Sequence, residues 1–163
     1  MKKKVIVHTD GACSGNPGKG GYGLILQYGV SKKEESEGFT LTTNNRMELL
    51  SVIRALELLN RDNCEVIIYS DSKYVVDAVE KKWVFGWVKK NFKGKKNADL
   101  WLRFLKVYKR HNVQFEWVKG HAGNEMNERA DFLATSALNK KTLHEDTGYR
   151  PPTESENLFS EEE

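Results

Sequence analysis

Two hydrophobic runs in this chain end in the same way. Val5-Ile6-Val7-His8-Thr9 leads into Asp10, and Val66-Ile67-Ile68-Tyr69-Ser70 leads into Asp71. Short, near-continuous runs of β-branched residues read as strands buried on both faces, and such strands need helices above and below them. The fold class is therefore α/β. An acid just past the carboxyl end of a buried strand also stands where open α/β sheets place their ligands.

The remaining elements fit around this pair. Val5 to Val7 runs into a polar turn at Thr9-Asp10-Gly11, Tyr22 to Leu26 forms a second strand after a glycine-rich connection, and 34–41 forms a third. Leu49, Val52, Ile53, Leu56 and Leu59 recur at helical spacing, with Asn44 or Asn45 as the N-cap. Ser70-Asp71-Ser72 opens a second helix through Val75, Val76 and Val79, and Trp101, Phe104, Leu105 and Tyr108 stripe another. Val113, Phe115 and Trp117 alternate as a last strand, and a terminal helix after Gly123-Asn124 turns Met126, Ala130, Leu133, Ala134 and Ala137 inward. The order is βββαβα…αβα. It predicts a five-stranded mixed sheet, with an antiparallel meander first, parallel strands after it, and flanking helices.

At 163 residues the chain fits one domain, read as 1–146, with 147–163 as an acidic, disordered tail. No apolar run has the length of a membrane span, and Met1-Lys2-Lys3-Lys4 leads into too few apolar residues for a signal peptide. A soluble cytoplasmic protein is expected. Cys13 and Cys64 lie in no CxxC pair and read as packing residues. No interface signature stands out, so a monomer without an identifiable protein partner is the expectation.

The net charge of +3 hides an asymmetry: residues 151–163 hold five Glu and no Lys or Arg, which leaves 26 basic against 18 acidic residues in 1–150, a net +8. Lys81, Lys82, Lys89, Lys90, Lys93, Lys95 and Lys96 share one acid-free segment with Trp83, Phe85, Trp87 and Phe92. A polyanion is the natural partner, although a solvated lysine face over core aromatics has the same composition.

Two further acids join Asp10 and Asp71: Glu48 at the edge of an apolar helix stripe, and Asp131 one turn from Asn127 and Ala134, neither placed like a routine surface acid. Taken singly, each acid also fits a cap or a first-turn position favoured by the helix dipole. Taken together, four converging carboxylates repel, and the usual remedy is a divalent metal. Oxygen-only ligands select Mg²⁺ or Mn²⁺ over Zn²⁺. Two such ions are the apparatus for in-line attack of water on a phosphodiester.

At this point the sequence resembles the type 1 ribonuclease H family, which cuts the RNA strand of RNA/DNA hybrids. The resemblance rests on Thr9-Asp10-Gly11, Gly15-Asn16-Pro17-Gly18, Gly20-Gly21-Tyr22-Gly23 and Thr42-Thr43-Asn44-Asn45-Arg46-Met47-Glu48-Leu49. It continues through Asp71-Ser72-Lys73-Tyr74-Val75, Trp117-Val118-Lys119-Gly120-His121-Ala122-Gly123, Asn127-Glu128-Arg129-Ala130-Asp131 and Glu145-Asp146-Thr147-Gly148-Tyr149. It implies the ribonuclease H-like fold. It makes Asp10, Glu48, Asp71 and Asp131 the carboxylates of a two-Mg²⁺ site, with Mn²⁺ as a substitute, and His121 an aid to proton transfer or product departure. Cleavage would leave 5′-phosphate and 3′-hydroxyl ends.

The resemblance further implies that Gly11, Cys13, Asn16, Asn44, Asn45 and Ser72 touch the hybrid, and that Thr43 helps seat a DNA-strand phosphate. The segment from Trp83 to Lys96 corresponds to the family's basic protrusion. There Lys89, Lys90 and Lys93 would meet phosphates, and Trp83, Trp87 and Phe92 would pack on sugars. Two departures stand out: Ser72 replaces a longer Gln, and Phe92 stands for a tryptophan in a shortened arm. Two other readings remain for the residues alone, a non-catalytic hybrid or duplex binder and a different metal nuclease on a related scaffold.

Overall fold

A computed structural model describes residues 4–120 and 124–151. His121 and the residues from 152 onward lie outside the described residues. In chain order the elements are β1 (Lys4–Ser14), β2 (Gly18–Tyr28), β3 (Ser31–Thr42), α1 (Asn44–Glu57), β4 (Glu65–Ser70), α2 (Lys73–Glu80), α3 (Trp83–Lys89), α4 (Ala98–Tyr108), β5 (Asn112–Trp117) and α5 (Glu125–Ala137). The five strands form one sheet in the order β3-β2-β1-β4-β5. The β1–β2 and β2–β3 pairs are antiparallel, and the β1–β4 and β4–β5 pairs are parallel. The mixed sheet predicted from the pattern is the one observed.

β1 differs from its reading in one instructive way. The chain does not turn at Thr9-Asp10-Gly11; it continues as strand to Ser14. Parallel pairing with β4 stops at His8↔Tyr69, whereas antiparallel pairing with β2 runs on through Asp10↔Gly23 to Ser14↔Lys19. The second half of β1 looked like a turn because it has no apolar run. It is strand because β2 satisfies its backbone hydrogen bonds.

Helices cover both faces. Consecutive strand residues point to opposite faces, and two adjacent glycines of β2 mark them. A β-carbon on Gly20 would lie 3.0 Å from Cγ of Met47 in α1, and one on Gly21 would lie 2.7 Å from the Ala134 carbonyl in α5. α1 buries Met47, Leu49, Val52, Ile53 and Leu56 against a core that includes Val5, Val7, Tyr22, Leu24, Val66, Ile68, Trp101 and Phe104. The cap of α1 is Thr43 rather than an asparagine: its hydroxyl accepts from Arg46 N at 3.3 Å.

α3 is an element that the periodicity did not resolve. Left-handed residues stand on either side of it, Lys82 at φ 64 and Asn91 and Phe92 at φ 50 and 57. A bulky residue in that region costs about 1–3 kcal/mol. Phe92 holds it because its ring, only 7% exposed, belongs to the core.

Candidate active site

Asp10 sits on β1 just past the last β4 pair, and Asp71 follows β4 directly, so the divergence of these two strands sets them side by side. Glu48 arrives from the first turns of α1. That approach requires Gly11, where a β-carbon would lie 2.6 Å from the Met47 carbonyl carbon. The Gly11 N–H donates to both acids, to Asp10 Oδ1 at 2.9 Å and to Glu48 Oε1 at 2.7 Å. One carboxylate oxygen from each of Asp10, Glu48 and Asp71 lies within 4.8 Å of the others.

Asp131 reaches the same cleft from α5. It lines the cleft with Thr9, Asp10, Asp71, Val118, Gly120, Asn127 and Glu128. α5 can lie this close because β2 offers it glycines: a β-carbon on Gly23 would lie 2.6 Å from the Ala130 carbonyl. Asn124 caps the helix, accepting from Met126 N at 3.0 Å and Asn127 N at 3.2 Å. The end of β5 closes the cleft's other side: Trp117 Nε1 donates to the Asp71 carbonyl at 3.2 Å, and Val118 N donates to the Ser70 carbonyl at 2.9 Å.

Burial and like charge act together on the acids. Desolvation pushes the Asp10 carboxyl up to about 7, aided by the negative charges of Asp71 and Asp131. Glu48 is driven well above the usual carboxylate range, first by burial and then by the charge of Asp10. Glu48 Oε2 is buried without a hydrogen-bond partner. An orphaned buried oxygen among carboxylates that burial and like charge strain toward protonation is the signature of a cation site. Asp10, Glu48 and Asp71 can therefore hold a metal, and their donor set suits a hard divalent ion.

The other predicted site residues fall into two groups. Gly11 and Cys13 of β1, Asn16 of the following turn, and Thr43, Asn44 and Asn45 at the start of α1 form one connected surface. Asn16 Oδ1 accepts from Asn44 N at 3.1 Å, and Cys13 Sγ lies 3.4 Å from the Thr42 carbonyl. Thr43 is 3% exposed and Ser72 is 9% exposed. Both hydroxyls serve as helix caps, with Ser72 Oγ accepting from Val75 N at 3.2 Å.

The second group is the basic arm. Lys89, Lys90 and Lys93 are exposed, and Trp83 is 49% exposed with Lys81 Nζ 5.2 Å from its ring centroid. Trp87 is half-buried, edge-on to Trp101 at 5.8 Å, with Lys95 Nζ 5.1 Å above it. Phe92 differs from its expectation. The core takes its ring because the left-handed turn directs it inward, and it presents no face to a ligand.

The sequence reading gave no role to Arg46. Its side chain is 2% exposed and forks onto two carboxylates, Asp99 at 2.7 and 2.9 Å and Asp146 at 2.7 and 2.9 Å, with Asn97 Oδ1 at 3.3 Å. The ring of Tyr149 lies 5.9 Å from the guanidinium, so the packed chain runs beyond 146. Thr9, Asn127 and Glu128 were also missed as lining residues. Their signal was proximity in sequence to Asp10 and Asp131.

Comparison with known proteins agrees with this geometry. The sequence pattern of the RNase H family matches residues 2–139. A Ribonuclease H of Syntrophus aciditrophicus is 50% identical over 153 residues, covering 91% of this chain and 88% of that one. Among solved structures, LC9-RNase H1, a type 1 RNase H with the type 2 active-site motif, superposes with a TM-score of 0.78 at 30% identity, covering 99% of this chain and 82% of the other. LC11-RNase H1, solved in complex with an RNA/DNA hybrid, superposes with a TM-score of 0.63 at 25% identity, covering 83% and 97%. The fold and its acidic cleft are those of a nuclease, and the chain belongs to the RNase H family. It is a hydrolase of nucleic acid.

Proposed function

We propose that this protein is an endonuclease that hydrolyses the RNA strand of RNA/DNA hybrids. The observation that carries the reading is the meeting of Asp10, Glu48 and Asp71 within 4.8 Å in a chain of this family. The hybrid complex of LC11-RNase H1 supports the substrate. Asp10, Glu48, Asp71 and Asp131 would hold two Mg²⁺ ions, with Mn²⁺ able to substitute. Such ions supply activation of the attacking water and stabilisation of the leaving oxygen, which leaves 5′-phosphate and 3′-hydroxyl ends.

The chain's own groups do the positioning. Gly11 N–H fixes one oxygen of Asp10 and one of Glu48, so the remaining lone pairs are free for cations. Gly120 lies against Asp71, a β-carbon there being 3.0 Å from Oδ2. His121 is assigned to proton transfer or product departure. The surface from Gly11 to Asn16 and Thr43 to Asn45 is suited to recognise ribose hydroxyls and the sugar-phosphate backbone. Lys89, Lys90 and Lys93, with Trp83 and Trp87, form the phosphate-binding arm, which positions substrate without reading its sequence.

The test uses one labelled RNA in three forms: paired with DNA, paired with RNA, and single-stranded, each with Mg²⁺ and with chelator. Internal, metal-dependent cleavage of the hybrid alone is expected. Cutting of all three forms would refute the strand discrimination, and binding without cutting would refute the catalysis. Replacing Lys89, Lys90 and Lys93 by Ala should lower the slope of log affinity against log salt by roughly one for each lost phosphate contact.

A further inference from the structure

The basic arm has a candidate ligand within the same chain. Lys89, Lys90 and Lys93 are exposed, and among the described residues none of them forms an ion pair. No acid lies between Lys81 and Ala98 to neutralise them. The segment 152–163 has the opposite character, with Glu154, Glu156, Glu161, Glu162 and Glu163 around Leu158-Phe159 and no basic residue. The arm interleaves lysines with aromatics, and the tail interleaves glutamates with an apolar pair.

The point of departure makes the match usable. Gly148 packs directly on the Asp99 carboxylate, and Tyr149 lies over Arg46, whose Nη1 bonds Asn97 Oδ1 at 3.3 Å. Asn97 follows Lys96, the last lysine of the arm. The described chain thus ends at Pro151, two residues past Tyr149 at the arm's base, and a further twelve residues could span at most about 40 Å. A short tether holds its ligand at a millimolar effective concentration, enough for weak charge pairing to compete.

We propose that residues 152–163 occupy the lysines of the basic arm as an internal polyanion and must be displaced when nucleic acid binds. The proposal rests on the arm being the substrate-binding surface. Its consequence is a buffered salt response. Tail pairing is itself lost as salt rises, so the free arm gains affinity for competing phosphates under the same conditions that weaken phosphate contacts.

The test compares the full chain with a full chain carrying Glu154→Gln, Glu156→Gln, Glu161→Gln, Glu162→Gln and Glu163→Gln. Amide NMR spectra without nucleic acid should differ between the two at residues 81–96 in low salt and coincide at high salt. Coincident spectra at low salt would overturn the proposal, whatever the arm does with substrate. Hybrid affinity, measured in chelator to prevent cleavage, should rise roughly tenfold in the glutamine variant at low salt, with a steeper log-log salt slope. It should converge with wild type at high salt. The same gain should vanish when Lys89, Lys90 and Lys93 are also Ala. Spectral differences at the arm with unchanged hybrid affinity would overturn the competition and, separately, the reading of the arm as a substrate surface.

Discussion

Arg46 and Glu48 stand two residues apart near the start of α1, and each buries a charge, at 2% and 3% exposure. Their surroundings are opposite. Arg46 directs all its N–H groups to Asp99, Asp146 and Asn97, and its charge is matched by carboxylates drawn from the start of α4 and from the chain beyond α5. Glu48 faces two more carboxylates and keeps one oxygen without a partner. One cluster is complete within the chain, whereas the other could take a cation from outside. The difference separates a group that fixes the frame from a group that waits for chemistry, on the same helix turn and at the same depth.

The widest contrast comes from function. Asp71→Asn should reduce hybrid cleavage by at least about 10³-fold, because a metal's charge stabilisation is worth several kcal/mol and each ~1.4 kcal/mol is tenfold. Hybrid binding should survive, since no lysine is touched. A variant cutting at the wild-type rate would remove Asp71 from the site.

Arg46→Ala should do the reverse, destabilising the fold by about 3–5 kcal/mol, because Asp146 is left buried and unpaired. Urea unfolding measures this, and the activity of the molecules still folded should change little. A small stability loss would mean that the cluster around Arg46 is not the fixed element that the contrast requires.

A smaller effect of opposite sign is expected at Glu48. In chelator and at a pH high enough to ionise the acidic cluster, Glu48→Gln should raise stability by about 1–2 kcal/mol by removing the cost of a buried charge beside Asp10. Divalent cation should then stabilise wild type more than the variant. Destabilisation in chelator would show that the acids are held together by something other than a cation.

The pH profiles of the two clusters should also diverge. Asp10 has its folded pKa raised by burial from 3.8 to about 7, so the folded state binds the extra proton. Metal-free stability should fall as pH rises from about 4 to about 7. Burial pushes the Asp99 carboxyl up, but the hydrogen bonds and charge of Arg46 together with nearby backbone N–H groups outweigh it and hold Asp99 below its ordinary value. Its contribution is present above the ordinary carboxylate range and is lost as pH falls below it. A calorimetric pH series in chelator, run on wild type and Asp99→Asn, should show both slopes. A flat profile between pH 4 and 7 would contradict the strain ascribed to the acidic cleft.

Much of this was legible because it is local. The strand before Asp10, the strand before Asp71 and the stripe of α1 are patterns of a few residues, and the antiparallel meander followed by parallel strands follows from their succession along the chain, whereas the strand order itself was not read from it. Thr43, Asn44 and Asn45 are all good caps, so their side chains could not reveal which one occupies the cap; the backbone at Thr43 decided it. α3 was hidden because seven residues carrying Gly86 and three aromatics give no helical period. Phe92 was misplaced because residue type says nothing about a left-handed turn that points the ring inward. Arg46 had a motif but no role, since its partners lie 51 to 100 positions away. His121 remains a sequence assignment, outside the described residues.

The contact of α5 with β2 has a consequence for how this cleft can vary. Gly21 and Gly23 meet the backbone of α5 through Ala134 and Ala130, with no side chain on the strand to act as a spacer. The distance between Asp131 and the other acids is therefore gauged by main chain touching main chain. A single methyl at Gly23 would act as a shim, lifting the helix and its carboxylate together, and no rotamer change elsewhere could return it. Sequence drift across the rest of α5 can alter its outer face freely, while this seam keeps the spacing of these acids as a fixed dimension of the backbone.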